Sequence, residues 1–317
     1  MISRSRPPAG GAMPPAFGGD SSPRGGRRVR PFVKLANHEC EGSAKVGFLK
    51  DGKVFQIESA SSIEELLSSG TLDEVKRKEE GSKSQELSRI RPRPPVSAPD
   101  KILLTARNYE AHAREQNNSP PTEPYFFTKF GSCIIGQDDP IIIPKVSKKV
   151  DWEAELAVVI GKRCKYVSRS EALSYVAGYT VANDISFRDL QFPEGWPERA
   201  NSLGQNWVKG KALDSALPLG PFLVTSDEIP DPQRLRLLLR VNGVEMQNAS
   251  TEDMVFSVAE LIEYLSWGLT LLPGDLISTG TPAGVAVFSG MPYLKDGDIV
   301  EATVQGIGTL RNPVKAE

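Results

Sequence analysis

The sequence VDWEAELAVVI, at residues 150–160, places Glu153 and Glu155 at the start of an apolar run. Successive side chains of a β-strand point to opposite faces, so residues two apart share a face and these two carboxylates point the same way. Two glutamates that enter a buried strand repel each other and resist ionisation unless a cation or a basic group lies between them. The segment therefore predicts a buried strand that begins at a candidate metal site.

A third acid, Asp184, ends a second apolar run, GYTVAND at residues 178–184. Three carboxylates suit a hard cation, and the chain contains only two histidines, so the acids favour Mg2+ or Mn2+ over zinc as the cofactor. The spacing is equally compatible with a structural alternative, in which Glu153 and Glu155 lie on a solvated edge strand and Asp184 caps a turn.

A candidate general base lies upstream, in the sequence NYEAHARE at residues 108–115. His112 and Glu115 are three residues apart and would share one face of a helical turn, where the carboxylate can orient the imidazole and support its charged form. Such a pair can take a proton from water. The alternative is an exposed histidine beside a glutamate on a solvated helix. His38, the other histidine, has only a structural interpretation.

Composition limits the class of protein. The chain has 38 basic and 40 acidic residues, so its net charge gives no attraction to nucleic acid. The three cysteines are far apart without a CxxC spacing, which favours a reducing compartment. No apolar run approaches the roughly 18 residues that span a bilayer. We therefore predict a cytoplasmic protein that acts on a small molecule and has neither nucleic acid nor membrane as a partner.

Three regions follow from the distribution of residues along the 317-residue chain. Residues 1–30 are rich in Pro, Gly, Ser and Arg and predict a disordered tail, because they offer too little apolar surface to fold. Residues 31–98 predict a small N-terminal α+β domain, with a hairpin around Asp51-Gly52 and a helix that begins after Ser62. The proline-rich sequence RPRPPVSAP at 91–99 ends it, and residues 99–317 form the predicted catalytic domain.

The sequence of the predicted catalytic domain mainly predicts β-strands. Apolar runs predict strands over residues 102–105, 134–143, 156–160, 179–185, 235–241, 275–278 and 299–304. Ser168 with Glu171 and Ser257 with Glu260 have the spacing of a capping box and predict two helix starts.

Several motifs in this region, in their order and spacing, resemble the fumarylacetoacetate hydrolase superfamily over residues 101–314. The motifs are NY at 108–109 followed by His112 and Glu115, FTK at 127–129, DWEAEL at 151–156, ANDISFRDLQ at 182–191, KGKALD at 209–214, PLGP at 218–221 and ISTGTPAGV at 277–285. Three positions depart from the family pattern, which weakens the assignment to a subgroup. They are Ala106 and Ala286, where glycine is common, and Ser215, where threonine is usual.

The resemblance implies a mixed β-sandwich or β-roll catalytic domain of the α+β class, usually a homodimer. It also implies a role for each matching residue. The metal ligands would be Glu153, Glu155 and Asp184. The water-activating dyad on a mobile lid would be His112 and Glu115. Residues facing the substrate would be Lys129, Gln191, Lys211 and Thr281. The loop at 192–206, with Trp196 and Arg199, would line the substrate entrance.

The resulting functional hypothesis is metal-dependent hydrolysis of a carbon–carbon bond in an acylpyruvate-type 2-oxo acid. The metal would chelate the 2-oxo acid, the dyad would activate the attacking water, and Lys211 would steady the oxyanion while a metal-stabilised enolate leaves. The same chemistry serves an oxaloacetate-type decarboxylase, a hydroxymuconate-type isomerase or a keto-deoxy sugar acid dehydratase. An alternative of another class is a non-catalytic binding protein, which would have no chemical need for acids in an apolar strand.

Overall fold

The computed structural model describes residues 34–40, 42–78, 83–192 and 205–317. The predicted disordered tail at 1–30 and the entrance residues Trp196 and Arg199 lie outside the described residues. No helix in the described part of the chain has the length and apolar character needed to cross a membrane.

Strands dominate the described chain, which confirms the α+β class with few helices. In chain order the strands are β1 (Lys34–Cys40), β2 (Ser43–Lys50), β3 (Lys53–Gln56), β4 (Ser84–Glu86), β5 (Pro92–Arg93), β6 (Ile102–Ala106), β7 (Tyr125–Thr128), β8 (Ile134–Ile135), β9 (Ile141–Ile143), β10 (Val150–Asp151), β11 (Ala154–Ile160), β12 (Val176–Asn183), β13 (Ser186–Phe187), β14 (Leu217–Thr225), β15 (Arg236–Val241), β16 (Val244–Ser250), β17 (Leu276–Ser278), β18 (Ile299–Val304) and β19 (Gly308–Ala316). The helices are α1 (Ile63–Ser69), α2 (Leu72–Lys78), α3 (Glu110–Glu115), α4 (Arg188–Gln191), α5 (Trp207–Lys211), α6 (Val258–Ser266) and α7 (Ala286–Ser289).

Two sheets pack on each other. Among the described residues, the larger has twelve strands, ten of them in the order β4-β3-β2-β1-β14-β12-β11-β17-β6-β7, while β5 pairs with β1 and β8 with β14. The smaller has five strands in the order β16-β15-β18-β19-β9, and it packs against β11, β12 and β14. Every residue of β11, β12 and β14 is buried, because these strands are covered on both faces.

The pairing of the central strands brings distant parts of the chain to one edge of the sheet. β11 is antiparallel to both β12 and β17, so its first half lies beside the ends of the other two, with Ala154 opposite Asn183 and Ala157 opposite Ser278. β6 runs parallel to β17 and therefore ends at the same edge, where it leads into α3. The pairing of these strands thus gathers the acids at the start of β11 and after β12, the loop after β17 and the histidine of α3 around one site.

The N-terminal region extends the larger sheet. The predicted hairpin is confirmed as β2 and β3 around Asp51-Gly52, and the predicted helix is confirmed as α1, whose Ser62 side chain accepts from the Glu65 N–H. β1 pairs with β14, with Leu35 opposite Leu223, so the N-terminal strands share hydrogen bonds with the catalytic region. An independent domain over 31–98 stays a prediction.

Three other elements show where local patterns succeed or mislead. The capping box of Ser257 and Glu260 is present and begins α6. Ser168 and Glu171 bond to each other, but only a 3-10 turn at Ala172–Tyr175 follows before β12 begins, so the predicted helix is absent there. The run at 134–143 is two short strands, β8 and β9, because Asp139 accepts from the Gly136 N–H and closes a turn between them.

Candidate active site

The three predicted metal ligands lie together at the shared sheet edge. Glu153, Glu155 and Asp184 are buried, and one carboxylate oxygen from each lies within 4.8 Å of the others. We call these three residues the carboxylate cluster. Backbone bonds fix it, because the Asp184 N–H donates to the Glu153 carbonyl at 2.8 Å and the Glu153 N–H donates to Asn183 Oδ1 at 2.9 Å. The solvated-strand alternative is therefore wrong.

Two buried lysines contact the carboxylate cluster. Lys211 Nζ lies 2.8 Å from Glu153 Oε2 and 2.7 Å from Asp184 Oδ2, so it links two of the acids. Lys129 Nζ lies 2.8 Å from Asp184 Oδ1 and donates to the carbonyls of Ile185 and Ala216. Burial lowers the pKa of Lys129, although Asp184 opposes that effect. Both ammonium groups therefore help to neutralise buried acids.

An arginine that the sequence analysis did not assign completes this arrangement. Arg188 Nη2 lies 2.6 Å from Glu153 Oε1, and its Nε lies 2.8 Å from Asp151 Oδ2. Asp151 also accepts from the N–H groups of Ala286 and Val287 at the start of α7. The sequence contained a signal for Asp151, because alternation along 151–155 puts it on the same face as the two glutamates.

The pKa shifts show which acid of the carboxylate cluster lacks a neighbouring positive charge. Burial raises the pKa of Glu153, but Lys211 and Arg188 outweigh burial and hold that pKa well below its usual range. Glu155 has no ion pair with any described residue. Burial, together with the charges of Asp184 and Glu153, holds its pKa well above the usual range. Only the Ser278 hydroxyl and the Gly280 N–H donate to it among the described groups.

These residues fit a divalent metal. Glu155 is a buried acid whose ionisation two neighbouring carboxylates oppose, and a cation among the three would remove that conflict. The cluster offers only carboxylate oxygens, which suit a hard ion such as Mg2+ or Mn2+ better than zinc. Glu153, Glu155 and Asp184 would hold it.

The predicted dyad is formed on α3. His112 Nδ1 lies 2.6 Å from Glu115 Oε1, and the other Glu115 oxygen accepts from the Gly284 N–H at 3.0 Å. His112 Nε2 lies 2.8 Å from the amide nitrogen of Gln116, which can only donate. These partners assign the proton to Nδ1 and make Nε2 the acceptor of the Gln116 N–H, so Nε2 is unprotonated and becomes a base once Gln116 releases it. His112 is buried, so the alternative of an exposed histidine is wrong.

One cavity joins the dyad to the carboxylate cluster, and we call it the catalytic cavity. Five of the predicted site residues line it, namely His112, Glu153, Gln191, Lys211 and Thr281. Lys129 does not line this cavity, and the contacts of its ammonium lie behind the carboxylate cluster. Phe127, Trp207 and Phe288 give the cavity apolar walls, and Lys211 Nζ lies 5.3 Å from the centre of the Phe127 ring.

Close packing of two short helices places Lys211 and Gln191. A Cβ at Gly210 in α5 would lie 2.5 Å from the Cβ of Gln191 in α4, so only glycine permits this approach. Gln191 accepts from Arg188 Nη1 at 2.8 Å and donates to Gln205 at 2.7 Å. Its amide is therefore held on the cavity wall.

The loop after β17 supplies the remaining wall. Thr281 Oγ1 donates to the Ala154 carbonyl at 3.0 Å and accepts from Gln247 Nε2 at 2.8 Å. Gln247 in turn accepts from the Ala154 N–H, so this glutamine ties the loop to the strand that carries Glu155. Sequence reasoning had no signal for Gln247, which lies on β16 far along the chain.

Comparison with known proteins agrees with this geometry. The family model for the C-terminal domain of fumarylacetoacetate hydrolase matches residues 101–315. The chain belongs to the fumarylacetoacetate hydrolase family. The resemblance inferred from the motifs is thus confirmed, and the chain is an enzyme of this family.

Individual relatives carry different activities in their names. The oxaloacetate tautomerase FAHD2A, mitochondrial, of Bos taurus is 48% identical over 221 residues, which cover 69% of this chain and 68% of the relative. The 2,4-didehydro-3-deoxy-L-rhamnonate hydrolase of a Sphingomonas strain is 46% identical over 69% of this chain and 75% of its own. The fumarylacetoacetate hydrolase of psychrophilic Exiguobacterium antarcticum superposes with a TM-score of 0.76 at 32% identity, covering 90% of this chain and 100% of its own.

Proposed function

We propose that this enzyme binds Mg2+ or Mn2+ through the carboxylate cluster and interconverts the keto and enol forms of a small 2-oxo acid, with oxaloacetate as the first candidate. The observation that carries the proposal is the shared cavity, which His112, with its unprotonated Nε2, lines together with Glu153 and Lys211. The names of the tautomerase relatives support the choice of oxaloacetate.

His112 would perform the proton transfer. Its Nε2 would take a proton from the carbon beside the keto group, and Glu115 would stabilise the imidazolium that results. The electron pair of the broken C–H bond forms the C=C bond while the π pair of the keto group moves to its oxygen, which then takes up a proton to give the enol. When bound, the divalent cation would supply a Lewis acid that polarises the keto group.

Lys211 would act on the keto end of the substrate, and Thr281 would form part of the cavity wall. The Lys211 ammonium could donate to the keto oxygen as negative charge develops there, which lowers the barrier most where water is excluded. Gln191, on the helix packed against the one that carries Lys211, would hold a carboxylate or hydroxyl oxygen of the substrate through its amide nitrogen. Lys129, behind the cluster, would act on the substrate only through its ion pair with Asp184.

Hydrolysis of a carbon–carbon bond in an acylpyruvate, the reaction placed first by the sequence, is the second candidate. The relative named as a sugar-acid hydrolase, at 46% identity, favours it. In this reaction His112 Nε2 would take a proton from water instead of from carbon, so the same residues serve both. The two differ in whether labelled oxygen from water enters a product.

The decisive experiment follows exchange at carbon. Oxaloacetate is incubated in D2O with Mg2+ and either the enzyme or its His112→Ala variant, and loss of the C3 proton signal is measured by NMR. We expect exchange well above the rate with Mg2+ alone, and near that rate for the variant. Cleavage of acetylpyruvate with incorporation of labelled oxygen, and no accelerated exchange, would instead establish the hydrolase.

Three broader predictions remain proposals. A homodimer would be tested by light scattering of the purified protein. The cytoplasmic location stays a prediction, and the bovine relative's name places that protein in mitochondria. A fluorescent fusion of the full chain would decide between these compartments. An N-terminal domain over 31–98 would be tested by hydrogen exchange, because an independent unit should lose protection separately from the rest.

A further inference from the structure

Arg107 stands between β6 and α3, at a junction of two cavities. It lines the catalytic cavity, and it also lines an adjoining space that we call the outer cavity. The residues lining the outer cavity are Ala106, Arg107, Pro121, Thr122, Glu123, Tyr125, Gln205 and Trp207. A substrate whose reacting end lies in the catalytic cavity would therefore extend past Arg107 into the outer cavity.

The backbone at Arg107 is held in an uncommon conformation. Its φ angle is 55°, in the left-handed region that favours glycine. The next residue, Asn108, is fully buried, and its amide donates to the carbonyls of Thr279 at 2.8 Å and Phe256 at 3.0 Å. Asn108 Oδ1 also accepts from the Phe256 N–H at 2.8 Å. These bonds hold the turn in which Arg107 adopts this angle.

Tight packing on the other side adds to this constraint. A Cβ at Gly280 would lie 2.8 Å from the Asn108 Cβ and 3.1 Å from the Thr105 carbonyl oxygen. The turn is therefore wedged against the loop after β17, whose Gly280 N–H bonds to Glu155. Strain of this kind persists where the surroundings over-determine it, and it is concentrated at functional sites.

The charge of Arg107 is the second observation. The other cations at this site have acidic partners: Lys129 and Lys211 contact Asp184, and Arg188 contacts Asp151 and Glu153. Arg107 has neither a hydrogen bond nor an ion pair with any residue in the described parts of the chain. It is also only partly exposed, so its guanidinium is a cation available to an anion in the cavity.

We propose that Arg107 binds the carboxylate at the far end of the substrate and so selects dicarboxylic 2-oxo acids. The inference rests on the proposed function, since it assumes that the 2-oxo end lies at the carboxylate cluster. A guanidinium can bond a carboxylate with two parallel N–H groups, which gives both direction and affinity. A fixed backbone reduces the entropy lost when the contact forms.

Three variants isolate the guanidinium from the fold. Arg107→Gly removes the side chain and relieves the strained φ, so the melting temperature should hold or rise. Arg107→Lys retains the charge without the paired geometry. The matched control is Arg114→Ala, which removes an exposed arginine on the helix that carries His112 but lines neither cavity.

The ligands are 2-oxoglutarate and 2-oxovalerate, which have equal chain length and differ in a terminal carboxylate against a methyl group. Calorimetry with Mg2+ present should show tighter binding of 2-oxoglutarate to the unmodified protein. We expect Arg107→Gly to weaken it about 10- to 100-fold, the effect of one lost charge-assisted hydrogen-bonded pair. Binding of 2-oxovalerate should change less than about threefold, and Arg107→Lys should recover part of the loss. Arg114→Ala should change the binding of neither ligand.

Equal weakening of both ligands in Arg107→Gly, or unchanged binding of 2-oxoglutarate, would overturn the inference. So would the absence of a preference for 2-oxoglutarate in the unmodified protein. The proposed function fails by a different result, the absence of enzyme-dependent exchange at C3 of oxaloacetate. The binding comparison needs no turnover, so the two failures are distinguishable.

Discussion

The carboxylate cluster and the dyad share a cavity but are built in different ways. The cluster lies at the edge of the central sheet, where backbone bonds between β11 and β12 fix the acids and buried cations balance most of their charge. The dyad lies on a six-residue helix, and among the described residues one hydrogen bond, from the Gly284 N–H, joins Glu115 to the rest of the site. The positions of the ligands are therefore set by the central sheet, whereas the base lies on a short helix outside that sheet.

The largest expected effect is on the cluster. Glu153→Gln keeps the shape but loses an ionised ligand, so metal affinity should fall more than about 100-fold, since even the partners of metal ligands contribute about 10- to 100-fold. Turnover should fall to background, as it should when EDTA removes the metal, and Mg2+ or Mn2+ should restore only the unmodified enzyme. Metal affinity is measured by calorimetry.

The metal should also stabilise the unmodified protein, because a ligand that binds only the folded state adds about 2.7 kcal/mol at 100 times its dissociation constant. A rise in melting temperature with Mg2+ that is absent in Glu153→Gln would support the assignment of metal binding to the carboxylate cluster. Undiminished turnover after complete metal removal would contradict this assignment, because the metal held by the cluster would then have no catalytic role.

A smaller effect is expected from the dyad. His112→Ala should lower the exchange rate by about 100- to 10,000-fold, the usual contribution of a general base, and leave metal affinity nearly unchanged. Exchange kinetics and calorimetry on the same preparation measure both. Loss of metal binding in this variant would show that α3 is coupled to the cluster after all.

Glu115→Gln should have an effect of about 100-fold on the same rate. The amide can still accept from the Gly284 N–H, but it no longer supports a positive imidazole. Glu110→Gln is the matched control, because Glu110 lies on the same helix and pairs only with exposed Arg114 among the described residues. Equal losses in the two variants would indicate damage to the helix and not to proton transfer.

The smallest expected effect belongs to Ser278→Ala, which removes the hydroxyl that bonds Glu155. Glu155 retains the Gly280 N–H, so metal affinity should fall only about tenfold, at the low end for partners of metal ligands. The exchange rate at saturating Mg2+ should be preserved. A loss of rate that metal cannot restore would mean that Ser278 acts on the substrate.

How far the sequence predicted this site depends on whether each residue has local neighbours. Glu153, Glu155 and the pair His112 and Glu115 could be recognised because their spacing of two or three residues fixes a shared face. Asp184 was recognisable as an acid after an apolar run, but its position beside Glu153 depends on the pairing of β11 with β12. The family motifs supplied that relation.

Contacts between residues far apart in the chain could not be predicted from the sequence. Arg188 pairs with Asp151 and Glu153, and Gln247 bonds to the loop of Thr281. These contacts join segments that are far apart in the chain, so no local periodicity in the sequence predicts them. Among the strands, β14 was missed because Pro218, Gly220 and Pro221 usually mark turns or sheet edges. Here they lie in a buried central strand, where tertiary packing overrides local preference.

The pairing of β1 with β14 has a consequence for solubility. A fragment cut at the proline-rich segment would lack β1, and the backbone groups of β14 that face it would become an open edge beside a wholly apolar interior. Unpaired edges of this kind template strand addition from other chains, which leads to aggregation. The N-terminal strands thus cover, within the same chain, an edge of β14 that would otherwise be open to other chains.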